Sequence, residues 1–144
     1  YFMEIIIALE RMYGLIGYGV THQKSDNTPI IKNAKLRDAV LYIESRFDES
    51  VTLPDIAKAA GMNHTTLTAL MKEELGLTAI EYLMKYRITV AKKQLEFTNV
   101  PIKDIANMVG FKTVQHFSRV FKAQTGATPA EFRKSAVQKR RESF

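Results

Sequence analysis

Cysteine is absent from all 144 residues, so the chain can hold no disulfide, no thiolate metal site and no cysteine nucleophile. Histidine is scarce. The three present, His22, His64 and His116, stand far apart and show neither an HExxH pair nor the spacing of a metal-ligand set or a catalytic triad. No P-loop and no GxGxxG loop occurs, and Ser118 lies two positions from His116, where side chains of one helix diverge. These absences argue against an enzyme, and nothing in the chain calls for a metal or an organic cofactor. Long apolar runs are missing as well. The longest, near the N-terminus, is broken by Glu4, Glu10 and Arg11, and is too short and too charged to span a bilayer. A cytoplasmic protein without a membrane partner is expected, and the lack of cysteine is consistent with a reducing compartment. No initiator methionine opens the chain, and the first residues read as the middle of a structured region, so a fragment of a longer protein is expected.

What the chain does have is a hydrophobic content of 46%, enough to give one or two small domains a real core, and an internal repeat. Val51 to Tyr82 and Val100 to Phe132 are near copies: Asp55-Ile56-Ala57 and Gly61 answer Asp104-Ile105-Ala106 and Gly110. The copies are offset by 49 residues at Gly61 and Gly110 but by 50 at Gly76 and Gly126, so one residue is inserted inside the second. A short helix, a glycine at the turn and a second helix make the helix-turn-helix pattern, whose second helix can enter the DNA major groove. Two such units in tandem suggest a bidentate DNA reader.

The periodicity predicts an all-α fold. Phe2, Ile5, Leu9, Met12 and Ile16 form the seam of an amphipathic helix over residues 1–18, followed by an aperiodic polar linker, 19–33. Leu36, Val40, Ile43 and Phe47 mark the next helix. In the first unit, about 51–77, Thr52 and Asp55 form a capping box with Pro54 in the first turn, and the helix runs to about Ala60. Gly61 redirects the chain, and Asn63 caps a helix from His64 to about Leu75 held to the core by Leu67, Leu70 and Met71. Thr78 and Glu81 form a second capping box for a helix of about 79–97, whose apolar side carries Ile80, Leu83, Arg87, Ile88, Ala91 and Leu95. Its roughly 28 Å length approaches the roughly 34 Å between successive major-groove faces. The second unit, about 100–127, repeats the logic: a helix over Ile102 to Val109, a turn at Gly110, and a helix from about Thr113 to Gln124 with Phe117, Val120 and Phe121 inward. Thr128, Pro129 and Glu131 open the last helix.

The outward faces of the two second helices carry the chemistry. In the first unit these are Thr65, Thr66, Thr68 and Lys72, groups suited to base edges and phosphates, with no arginine among them. In the second they are Gln115, His116, Ser118, Arg119 and Lys122, with Thr113 at the helix start. Arg119 suits a bidentate contact to guanine and Gln115 one to adenine. Charge follows the same division. The chain is +6 overall with a pI near 9.6, which favours a polyanionic partner. Residues 133–144 carry a net +4, while residues 51–83 are −2 and residues 100–132 are +2. The second unit is therefore expected to supply more of the attraction to phosphate, and the basic stretch 133–144, which crosses from the domain into the tail at 136–144, is expected to be a frayed, solvated end rather than a dedicated DNA arm.

Residues 34–135 resemble the DNA-binding domain of the AraC/XylS family of bacterial transcription regulators. The resemblance rests above all on Ile102 to Arg133, through IKDIA, Gly110-Phe111, FSRVFK, GATP and Phe132-Arg133, and on Tyr86-Arg87-Ile88 with Ala91-Lys92 in the connecting helix. It implies seven helices in two helix-turn-helix subdomains, the third and sixth helices reading adjacent major grooves. Carried over by position, the readers are Gln115, His116, Ser118 and Arg119 in the sixth helix and Thr65, Thr66, Thr68 and Ala69 in the third. Ala69 departs from the arginine of many members, and Pro101 stands where the family usually has a Ser or Thr cap. The resemblance further implies a preceding regulatory or dimerisation domain, of which residues 1–18 look like the final helix. It also implies recruitment of RNA polymerase, with double-stranded DNA as the main partner and a homodimer formed through the missing domain or the 1–18 helix. The alternative is a protein-interaction module that docks on RNA polymerase or another partner and binds DNA only weakly.

Overall fold

The computed structural model describes residues 31–143, so the expected helix at 1–18 and most of the expected linker lie outside the described residues. Within them are seven helices and no strand: α1 Ala34–Arg46, α2 Leu53–Ala60, α3 His64–Leu75, α4 Ala79–Phe97, α5 Ile102–Met108, α6 Val114–Thr125 and α7 Pro129–Glu142. The helix starts follow from local hydrogen bonding. The Asn33 side chain accepts from the amides of Lys35 and Leu36, and Ile31 packs against the core, so the last residues of the expected linker already belong to the folded unit.

At α2 the capping box is complete: the Asp55 amide donates to Thr52 Oγ1, and Thr52 N and Oγ1 donate back to Asp55 Oδ2 at 3.0 and 2.7 Å. At α4 and α7 the threonine half forms, Thr78 accepting from the Glu81 amide and Thr128 from the Glu131 amide. Glu81 turns instead to Lys72. Pro101 offers no side-chain cap to α5, as its chemistry requires. The hydrogen bonds from Thr52 hold the Asp55 carboxyl below the ordinary value of 3.8. A depressed folded-state pKa means that this contribution is present above 3.8 and lost as pH falls through the folded value. Melting temperatures of wild type and Asp55→Asn are therefore expected to differ at neutral pH and to converge on acidification below 3.8; a constant gap would contradict the assignment.

α4 packs against all six other helices, and the buried residues of both units, from Leu36 and Ile43 through Leu83, Ile88 and Leu95 to Phe117 and Phe121, form one continuous cluster. The connecting helix is thus the spine of a shared core. Ile80, expected on its apolar side, is exposed, because the face in contact with both units is set by Leu83, Arg87, Ile88, Ala91 and Leu95. Leu70 and Val120 are half-buried and pack against the cluster from its edge.

The expected frayed tail is also corrected. α7 continues helically through Glu142, and Arg133 is not a free cation: its Nε donates to the Leu95 carbonyl at 3.2 Å. That carbonyl lies in the last turn of α4, where intrahelical donors run out.

Candidate nucleic-acid interface

α3 and α6 are both held as the second helix of a turn. Asn63 Oδ1 accepts from the Thr66 amide at 2.8 Å, and Thr113 Oγ1 accepts from the His116 amide at 3.1 Å. Thr113 is therefore the cap that starts α6, not a residue within it. Between turn glycine and cap there is one residue in the first unit, Met62, and two in the second, Phe111 and Lys112. The extra residue of the second copy sits in this turn. α5 accordingly ends at Met108, one residue short of the expected Val109, and Gly110 takes up the turn with φ of +95°.

From Leu67 to Tyr82 and from Phe117 to Phe132 the two units have the same exposure class at every equivalent position. On α6, Gln115, Arg119 and Lys122 are exposed at spacings of four and three, which puts them on one stripe of about 10 Å, roughly three base-pair steps. His116 is exposed beside the stripe and Ser118 is half-buried at its edge. The equivalent stripe on α3 is Thr65, Ala69 and Lys72, flanked by exposed Thr66 and half-buried Thr68.

The stripes differ in what they can do. Arg119 makes no hydrogen bond or ion pair with any described residue, so its five donors are available to a ligand. Lys72 faces Glu81 across 3.7 Å, both about half exposed, which subtracts from the positive potential of the first stripe. No such pair forms between the equivalent Lys122 and Glu131. His116 packs edge-on against Phe111 at 5.2 Å, so its ring is oriented by the turn. Phe111 begins a ladder of rings, Phe111–Phe117 at 5.4 Å, Phe117–Phe121 at 5.7 Å and Phe121–Phe132 at 5.4 Å, that backs α6 along its length. The first unit has Met62, Leu67, Met71 and Tyr82 in these places.

Among the described residues no group of three His, Asp or Glu side chains is arranged to hold a metal ion, and no helix is long and apolar enough to cross a membrane. The pattern reading missed one residue that bears on the interface. Arg87 is buried, its head against both units, and the only signal in the sequence was an arginine on an otherwise apolar helix face.

Residues 56–135 match a family model described as a helix-turn-helix domain. The arabinose operon regulatory protein of Salmonella typhimurium is 34% identical over 102 residues, 70% of this chain and 36% of that protein. The C-terminal domain of AraT, a response regulator from Geobacillus stearothermophilus, has 33% identity and a TM-score of 0.69 over 72% of this chain and 86% of that domain. The same fold, with a TM-score of 0.71 at 21% identity over 75% of this chain and 97% of that one, occurs in the DNA-binding domain of AdpA, solved with a target DNA. The chain spans little more than a third of the arabinose regulator's length and 13% of that of the HTH-type regulator YtdP from Bacillus subtilis.

Proposed function

Because this chain belongs to the AraC/XylS family of helix-turn-helix transcription regulators, we propose that it is the DNA-reading part of a cytoplasmic, sequence-specific regulator that inserts α3 and α6 into successive major grooves. The observation that carries this reading is the pair of equivalent stripes on capped second helices, each exposed and backed by the common core. Gln115, His116, Ser118 and Arg119 read bases, with Lys122 on a neighbouring phosphate; Thr65, Thr66, Thr68 and Lys72 make weaker contacts, and Ala69 leaves a gap where Arg119 has its equivalent. Thr113 supports this set as the cap of α6. Activation through RNA polymerase, and a dimer formed by a preceding regulatory domain or the 1–18 segment, belong to the same proposal.

Selection of binding sites from a random duplex pool, followed by salt titration of the winner against a scrambled duplex, tests it. Two contact blocks about ten base pairs apart with a steep salt slope are expected. A single short block would reduce the first unit to a scaffold. No enriched sequence and equal affinity for scrambled DNA would replace DNA reading by docking on a protein partner.

The asymmetry between units has its own test. Ala69→Arg places a guanidinium on an exposed, unobstructed position equivalent to Arg119. Repeating the selection with this variant is expected to add a preferred guanine to the first block, worth about 1–3 kcal/mol against other bases. An unchanged motif would mean that α3 does not face base edges.

A further inference from the structure

Arg87 stands at the middle of α4 and is 6% exposed. Its Nε donates to the Phe47 carbonyl at 2.6 Å and its Nη2 to the Glu49 carbonyl at 2.9 Å, so one guanidinium holds the loop between α1 and α2 at two points. The same group lies over the ring of Phe111, 5.5 Å from its centroid, in the turn between α5 and α6. Gly110 completes the junction. A Cβ there would sit 2.8 Å from the Phe47 carbonyl oxygen and 2.9 Å from Arg87 Cζ, and its φ of +95° disfavours any side chain. Three segments, the loop that leads into the first helix-turn-helix, the spine helix and the turn of the second helix-turn-helix, thus meet at one planar cation. Arg133, the other arginine among the described residues that donates to a backbone carbonyl, ties α7 to α4 inside the second unit alone.

We propose that Arg87 is the positioning residue that fixes α3 and α6 relative to one another, and thereby sets the single half-site spacing the protein accepts. The spacing role rests on the bidentate reading above; the fixing of the helices does not. A duplex with one base pair inserted between the blocks rotates the second by about 34–36°. A rigid pair of recognition helices cannot follow that rotation, whereas a loosened pair can. Lysine at position 87 keeps the charge but presents a compact ammonium on a flexible stem in place of the fork that spans two carbonyls and lies over the Phe111 ring. Phe111→Leu keeps an apolar filling and removes the ring face.

The test exploits the lack of native cysteine. Spin labels at Glu73→Cys on α3 and Ala123→Cys on α6, both exposed positions, report the distance between the recognition helices without DNA. Measurements are made where melting curves show every variant folded. The expected result is one narrow distance distribution with Arg87 and Phe111 intact, and a clear broadening in Arg87→Lys and in Phe111→Leu. On DNA, the one-base-pair insertion is expected to cost the wild type at least about tenfold in affinity and the variants much less, while affinities for either block alone stay equal between the wild type and Arg87→Lys; Phe111→Leu, whose ring packs on His116, is compared by its spacing sensitivity only. Unchanged distance distributions in both variants would overturn the proposal. So would broadened distributions with wild-type sensitivity to spacing, or a loss by Arg87→Lys at each single block, which would reduce Arg87 to a general stabiliser of the fold. Broadening as expected with a wild type indifferent to spacing would uphold the fixing of the helices and place the failure in the bidentate reading.

Discussion

Phe117→Ala is expected to destabilise the protein by about 3–5 kcal/mol, measured as the shift in urea midpoint at unchanged slope. Phe117 is fully buried, and its ring touches Phe111 on one side and Phe121 on the other. Truncation removes the transfer free energy of the ring, leaves a cavity, and breaks two aromatic pairs, each worth about 0.5–1.5 kcal/mol beyond area burial. Domains of this size have about 5–15 kcal/mol in total, so the loss takes a large share of the margin. Leu67→Ala at the equivalent place in the first unit, where Met62, Met71 and Tyr82 replace the rings, belongs to a class that costs about 2–5 kcal/mol, and its value is expected below that of Phe117→Ala. Because the two units share one core through α4, both variants are expected to unfold in a single transition. A loss under about 1 kcal/mol, or two separated transitions with only the second shifted, would refute the picture of a common core.

Arg119→Ala should act on binding and hardly at all on folding. The side chain is exposed and has no partner among the described residues, so its removal orphans no buried group, and a stability change within about 0.5 kcal/mol is expected. Affinity for the selected sequence should fall by about 1–3 kcal/mol, roughly five- to 150-fold. Affinity for scrambled duplex should fall far less, because a phosphate contact carries no sequence information. Thr68→Ala is the control: Thr68 is half-buried at the edge of the weaker stripe, and a smaller loss is expected. Equal losses at the two positions would contradict the division of labour between the units. A fall in affinity shared by all sequences would assign Arg119 to phosphate.

The two exposed stripes were legible for a definite reason. The second helix of each unit is specified by interactions that reach no more than four residues along the chain: a cap such as Asn63 or Thr113, a glycine such as Gly76 or Gly126, and apolar residues spaced by three and four. Once Leu67 and Met71, or Phe117 and Phe121, face inward, the helical period leaves Thr65, Ala69 and Lys72, or Gln115, Arg119 and Lys122, outside. Thr113 shows the limit of that reasoning. One residue of uncertainty at a helix start decides whether a threonine lies within the helix or caps it, and the hydrogen bond from the His116 amide makes Thr113 the cap.

Local order was therefore determined by the sequence alone: helices and their start signals, the repeat with its single insertion, and the outward chemistry of each second helix, all of which depend on neighbours within one turn. Tertiary structure alone decided the contacts between groups far apart in the chain. Periodicity put Arg87 on the apolar side of α4, but only folding brings it to the Phe47 and Glu49 carbonyls, 40 and 38 residues away, and over Phe111. Ile80 fits the apolar spacing, yet it is exposed because neither unit covers its side of the spine. Glu81 has the position for a capping box, yet it faces Lys72 on a different helix. Arg133 looked like part of a basic tail until the end of α4 presented it with a carbonyl. Each of these depends on which surfaces meet once the chain closes on itself, and no spacing along one helix encodes that.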